Sequence, residues 1–200
     1  MSREEEMVKA LLDAPAYFES QQEGYRSWGK VEVQQIAVRS EGGYLLVDTA
    51  GKGKSLTEKN IQFITDTTGT FSQLFKSRKR INTVLVTKQQ YAAQVKQEIP
   101  PILDDQAQLL GVTVRIAKKD ADLLEALSGR YAAIGSNGIS TCIGSSIEDA
   151  YVAAQLLEKT AKVFVEAKAL GGAIPINRIE AWFMQQYYQL KYSKEAGKNK

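Results

Sequence analysis

Ala132-Ala133-Ile134-Gly135-Ser136-Asn137-Gly138-Ile139-Ser140-Thr141-Cys142-Ile143-Gly144 is the stretch that decides the fold. It reads as two short strands, Ala132 to Ile134 and Ser140 to Ile143, around a Gly-Ser-Asn-Gly turn. Ser146 and Asp149 then stand at capping-box spacing. Beyond them Ile147, Tyr151, Ala154, Leu157, Ala161 and Phe164 recur with helical period. Gly171-Gly172 end that helix.

Working outward, Thr83-Val84-Leu85-Val86 reads as a buried strand. Val31, Val33, Ile36 and Val38 form another, which returns through Gly42-Gly43 as Tyr44-Leu45-Leu46-Val47. Ile61 to Thr65 and Val112 to Ile116 are further short strands. Helices are expected over residues 3–13, after Pro15 to about Trp28, over Phe71 to Lys79, Tyr91 to Glu98 and Ala121 to Leu127, and from about Asn177 to Tyr192. Strands alternate with helices, yet hairpins also occur. That predicts an α/β fold in which helices flank a mixed, largely antiparallel β-sheet. One layered domain is expected over residues 1–193, with 194–200 a polar, lysine-rich tail.

The balance of 26 Lys+Arg against 23 Asp+Glu gives a net charge of +3, which calls for neither a nucleic-acid nor a membrane partner. Cys142 is the single cysteine, so no internal disulfide forms. The start Ser2-Arg3-Glu4-Glu5-Glu6 has neither the basic start nor the apolar run of a signal peptide. The expected location is the cytoplasm.

Several segments, in order, resemble the class II aldolase/adducin family, the group of fuculose- and rhamnulose-phosphate aldolases. The likeness covers roughly residues 30–185. It is carried by Ala132 to Gly138, Cys142-Ile143-Gly144, Ser146 to Tyr151, Leu157-Glu158 with Ala161-Lys162, and Ala169-Leu170-Gly171. Ile99 to Gln108, Ile81 to Lys88 with Tyr91-Ala92, Gln34 to Arg39, and Asp48 to Gly51 with Leu56-Thr57-Glu58 extend it upstream. The resemblance implies an aldolase-type fold, a sugar-phosphate substrate class and a homo-oligomer, commonly a ring-like tetramer. It also implies zinc on three histidines beside a glutamate.

This chain has no histidine. The positions matching the family's His-x-His hold Val86 and Lys88. Asn137 stands where the His-Gly turn has its histidine, and the stretch matching the glutamate, Thr68 to Phe75, has no acid. Valine offers no donor, lysine repels a cation, and asparagine is a weak neutral ligand. No metal or other cofactor is therefore expected. Histidine-dependent serine and cysteine nucleophiles are excluded as well. The family's phosphate positions match Gln34-Gln35 and Ala50-Gly51, with Ser72 remaining of a serine pair. That suggests an altered anion pocket of Gln35, Gly51, Lys52, Ser72 and Asn137.

Two functional expectations follow. One is a non-catalytic protein that binds a small phosphorylated metabolite or serves as an interaction subunit. The other is a sugar-phosphate lyase or isomerase with rebuilt chemistry, in which Lys88 forms a Schiff base and Tyr91 moves protons. Each residue also has a plainer reading: Lys88 as a solvated cation, Asn137 as a turn former, Cys142 as a core residue. The run Lys76 to Arg80 is either a solvated helix end or an anion-binding patch.

Overall fold

The computed structural model describes residues 2–51 and 56–198, with side chains to Lys191. Seven strands form one sheet in the order β3-β2-β1-β4-β7-β6-β5. They are β1 (Val31–Ser40), β2 (Gly43–Asp48), β3 (Ile61–Ile64), β4 (Thr83–Gln89), β5 (Arg115–Ala117), β6 (Ala132–Gly135) and β7 (Ile139–Gly144). Only β5 and β6 run parallel; the other pairs are antiparallel. The mixed, largely antiparallel sheet expected from the sequence is present.

Alternation of side chains along each strand divides the core into two layers. On one face Ile36, Val38, Leu85, Ile134 and Cys142 pack against Leu11, Ala14 and Phe18 of helix α1 (Arg3–Gly24) and against Tyr151, Ala154 and Leu157 of helix α4 (Ile147–Ala169). On the other face Ala37, Val84, Ala133 and Ile143 meet Leu74 and Phe75 of helix α2 (Thr70–Ser77) and Ala126 of the short α3 (Leu123–Ala126). Helix α5 (Arg178–Lys198) closes the described chain.

Three local expectations need correction. The break expected at Pro15 is absent, and α1 runs unbroken from Arg3 to Gly24. An interior proline costs about 3 kcal/mol. Here Leu11, Ala14 and Phe18, on both sides of it, are buried, and Phe18 stacks on Tyr151 at 4.4 Å. Tertiary packing holds the helix through the proline. The helix expected from Tyr91 to Glu98 is a single 3-10 turn, Ala92–Gln94. The Tyr91 and Ala92 amides are taken by the Glu158 carboxylate, and Ile99 bridges to Val114. That bridge also displaces the strand expected at Val112, so β5 begins at Arg115.

A full capping box forms at α1, whereas at α4 only its N-cap half forms. In α1 the Glu5 amide donates to Ser2 Oγ at 3.2 Å, and the Ser2 amide to Glu5 Oε2 at 2.8 Å. In α4 the Asp149 amide donates to Ser146 Oγ at 3.1 Å. Gly144 lets α4 start against β7, since a Cβ there would lie 2.4 Å from the Ala150 nitrogen. No helix among the described residues is long and apolar enough to cross a membrane.

Candidate functional site

Residues directly opposite one another in a sheet share a face. Asp48 pairs with Gln35, Gln35 with Val86, and Val86 with Thr141. All four lie on the α2/α3 face, one step along from the covered row Ala37, Val84 and Ile143. Val86 and Gln35 are half-buried, Asp48 is exposed, and Thr141 alone of the four is buried. The sheet therefore ends in a shelf that α2 leaves uncovered. Lys88 stands two residues further along the same face, opposite Glu32 on one side and Ile139 on the other.

The loops at this end are held by their own hydrogen bonds. Asn137 accepts the Ile139 amide at 3.0 Å, and Gly138, at φ +78°, supplies the left-handed residue of the β6–β7 turn. The Asp48 carboxylate accepts the Ala50 amide at 3.0 Å, and Thr49 Oγ1 donates to the Val33 carbonyl at 2.6 Å. Gly51 follows at φ +71°, exposed. Lys52 lies outside the described residues. Ser72 is buried on α2 and donates to the Asp66 carbonyl. Asp66 in turn accepts the Thr68 and Gly69 amides at 2.9 and 2.8 Å, and these bonds hold its carboxyl below the usual carboxylate range.

Strand register thus puts Lys88 and Gln35 at the same end of the sheet as the β6–β7 turn that carries Asn137. Lys88 and Tyr91 separate. Lys88 faces the α2/α3 layer, whereas Tyr91 packs with the α1/α4 core, its ring 5.4 Å from Lys162 Nζ. Ser72 has its hydroxyl committed to a backbone carbonyl.

Glu158, which in the sequence stands out only through the resemblance, has a structural part that its position in the chain does not reveal. Its side chain is buried, accepting the Tyr91 amide at 2.8 Å and the Ala92 amide at 3.0 Å. Burial raises its carboxyl above the ordinary value, against those hydrogen bonds. Gly29, at φ +125°, passes so close that a Cβ would sit 2.4 Å from Glu158 Oε1. Glu158 is a fold anchor that fixes the chain leaving β4. Asp48 and Thr141 complete the shelf and were also passed over; only strand register brings them in.

The zinc implied by the resemblance does not fit these residues. Val86 presents hydrocarbon, Lys88 a cation, and the Asn137 oxygen already accepts an amide. No group of three or more His, Cys, Asp or Glu side chains able to hold a metal occurs among the described residues. Cys142 is fully buried and its thiol is pushed up to about 12 by desolvation, which leaves it inert as a nucleophile.

Comparison with known proteins agrees with this geometry at the level of fold. The class II aldolase and adducin N-terminal domain pattern matches residues 35–165. This chain belongs to that family. Among solved structures it is similar to an L-fuculose 1-phosphate aldolase, at 16% identity and a TM-score of 0.74, over 94% of this chain and 98% of that one. It is similar to the L-fuculose-1-phosphate aldolase of Thermus thermophilus at 14% identity and a TM-score of 0.63, over 84% and 97%. An aldolase II superfamily protein from Pseudomonas syringae gives 17% and 0.63, over 94% and 86%. No curated protein matches the chain by sequence.

Proposed function

We propose that this chain is a family member whose shelf binds a small anionic, sugar-phosphate-like metabolite without zinc and without aldol cleavage. The observation that carries this reading is that Val86 and Lys88 stand on one face of the shelf, at the positions the resemblance matches to the family's metal ligands. A lysine there replaces a divalent cation with a fixed positive charge. The Gln35 amide and the Thr141 hydroxyl stand beside Val86 on the same face and supply hydrogen-bonding groups.

Thermal melting of metal-stripped protein with dihydroxyacetone phosphate and with pentose and hexose phosphates tests this reading. A ligand at 100 times its dissociation constant adds about 2.7 kcal/mol. The expected result is a saturable rise that Lys88→Ala removes. Stoichiometric zinc with aldol cleavage would overturn the proposal, as would no shift across the panel.

A second reading, an interaction subunit, has its own support. Ile179, Phe183, Tyr187 and Leu190 recur at helical spacing on α5 and are all exposed. Isolated exposed apolar residues are ordinary, but a continuous stripe marks a contact surface. It suits self-association of this chain. Light scattering on wild type and Phe183→Glu tests it: an oligomer that the substitution dissociates supports the reading, and a monomeric wild type removes it.

A further inference from the structure

A second concave site lies away from the shelf, near the opposite end of β4. It is a cavity of roughly 900 Å³ between the α2–β4 connection, the chain entering β6, and α5. Its wall carries four cations, Arg78, Lys79, Arg80 and Arg130, and no acidic residue. Among the described residues none of the four forms an ion pair with a carboxylate. Glu98, which acts electrostatically on Arg130, is already shared by Arg115 at 3.5 Å and Arg178 at 3.2 Å.

The two guanidiniums are positioned, not loose. Arg78 Nη1 donates to the carbonyls of Leu127, at 3.1 Å, and Arg130, and its guanidinium lies over the Tyr131 ring at 4.7 Å. Arg130 is clamped by Thr113, Nε to the carbonyl at 2.9 Å and Nη2 to Oγ1 at 2.7 Å. Carbonyls satisfy these donors without neutralising them. Burial pulls both guanidiniums below the ordinary arginine range, and at Arg130 the nearby Arg115 and Arg178 add to it while Glu98 opposes it. Gln185, 4% exposed, donates its amide to the Gly129 carbonyl at 2.9 Å, and Trp182 contributes an accessible indole to the wall.

Four cations around a concave space whose wall has no acid call for an anion. A phosphate alone is far smaller than the cavity, whose size falls in the range of whole small-molecule sites. An indole beside the cations suits a flat ring. We propose that this cavity is a second ligand site, taking a phosphorylated small molecule with a planar ring, of the nucleoside diphosphate class. The cationic wall holds the phosphates, and Trp182 and the α5 glutamines meet the ring. Ile81 lines the cavity and Val86 belongs to the shelf, so about 17 Å of extended chain lies between the two sites.

The chain has two tryptophans, Trp28 and Trp182. In Trp28→Phe, emission therefore reports the cavity. The experiment titrates this variant with inorganic phosphate, pyrophosphate, and adenosine and guanosine diphosphates. The expected result is a saturable emission change, tightest with a nucleoside diphosphate. Adding Lys79→Glu and Arg80→Glu, both exposed, should weaken it at least about tenfold with the melting temperature unchanged. Arg78 and Arg130 are left intact because their bonds hold the fold. No saturable response to the nucleotides overturns the proposal. So does a response that the charge reversals leave unchanged, or one no tighter with a nucleoside diphosphate than with pyrophosphate.

Discussion

Glu158→Gln separates two forces that act on one side chain. The carboxylate is 1% exposed and divides its oxygens between two amides, Oε1 to Tyr91 and Oε2 to Ala92. Glutamine keeps the shape and one acceptor, but its NH2 must face the other amide, donor against donor. An orphaned buried N–H costs about 1–3 kcal/mol. Removing a buried charge works the other way, because burial is the larger influence and raises the carboxyl above its ordinary 4.5. A raised folded-state value means that the stability this group contributes is full below the unfolded value. It is lost as pH rises through the folded one. Wild type should therefore exceed Glu158→Gln by about 1–3 kcal/mol in acid, and the gap should narrow as pH climbs from 4.5 towards neutrality. Urea unfolding of both proteins across that range measures the gap. A gap that widens with pH would show instead that the two amides outweigh desolvation at this carboxylate.

Gly144→Ala puts a Cβ 2.4 Å from the Ala150 nitrogen and should cost about 1–3 kcal/mol in chemical denaturation, without changing the sheet signal in circular dichroism. The Cys142 thiol should fail to react with a disulfide reagent in the native protein and give one equivalent only after unfolding, since burial pushes it up to about 12. Pro15→Ala should stabilise the protein by about 1–3 kcal/mol in thermal unfolding, because α1 already runs through that position.

The strands were legible because their apolar runs are bounded by glycine turns, and α4 because its cap and period agree. What failed was local propensity where tertiary contacts decide. Pro15 predicted a break that burial of Leu11, Ala14 and Phe18 prevents. Residues 91–98 read as helix, yet a carboxylate 67 positions away from Tyr91 takes the first amides. The same distance in sequence hid both candidate sites. The shelf forms only once register sets Gln35, Val86 and Thr141 side by side. The cavity needs Arg78 and Arg130, 52 positions apart, to be brought together. In the sequence the run Lys76 to Arg80 reads as a solvated helix end, and for Lys76, exposed on α2, that holds. Arg78 departs from it because the chain turns inward after α2 and lays the guanidinium on Tyr131. A basic run becomes a site only when part of it is drawn out of water with no acid to meet it, and that is a property of packing that no spacing of residues records.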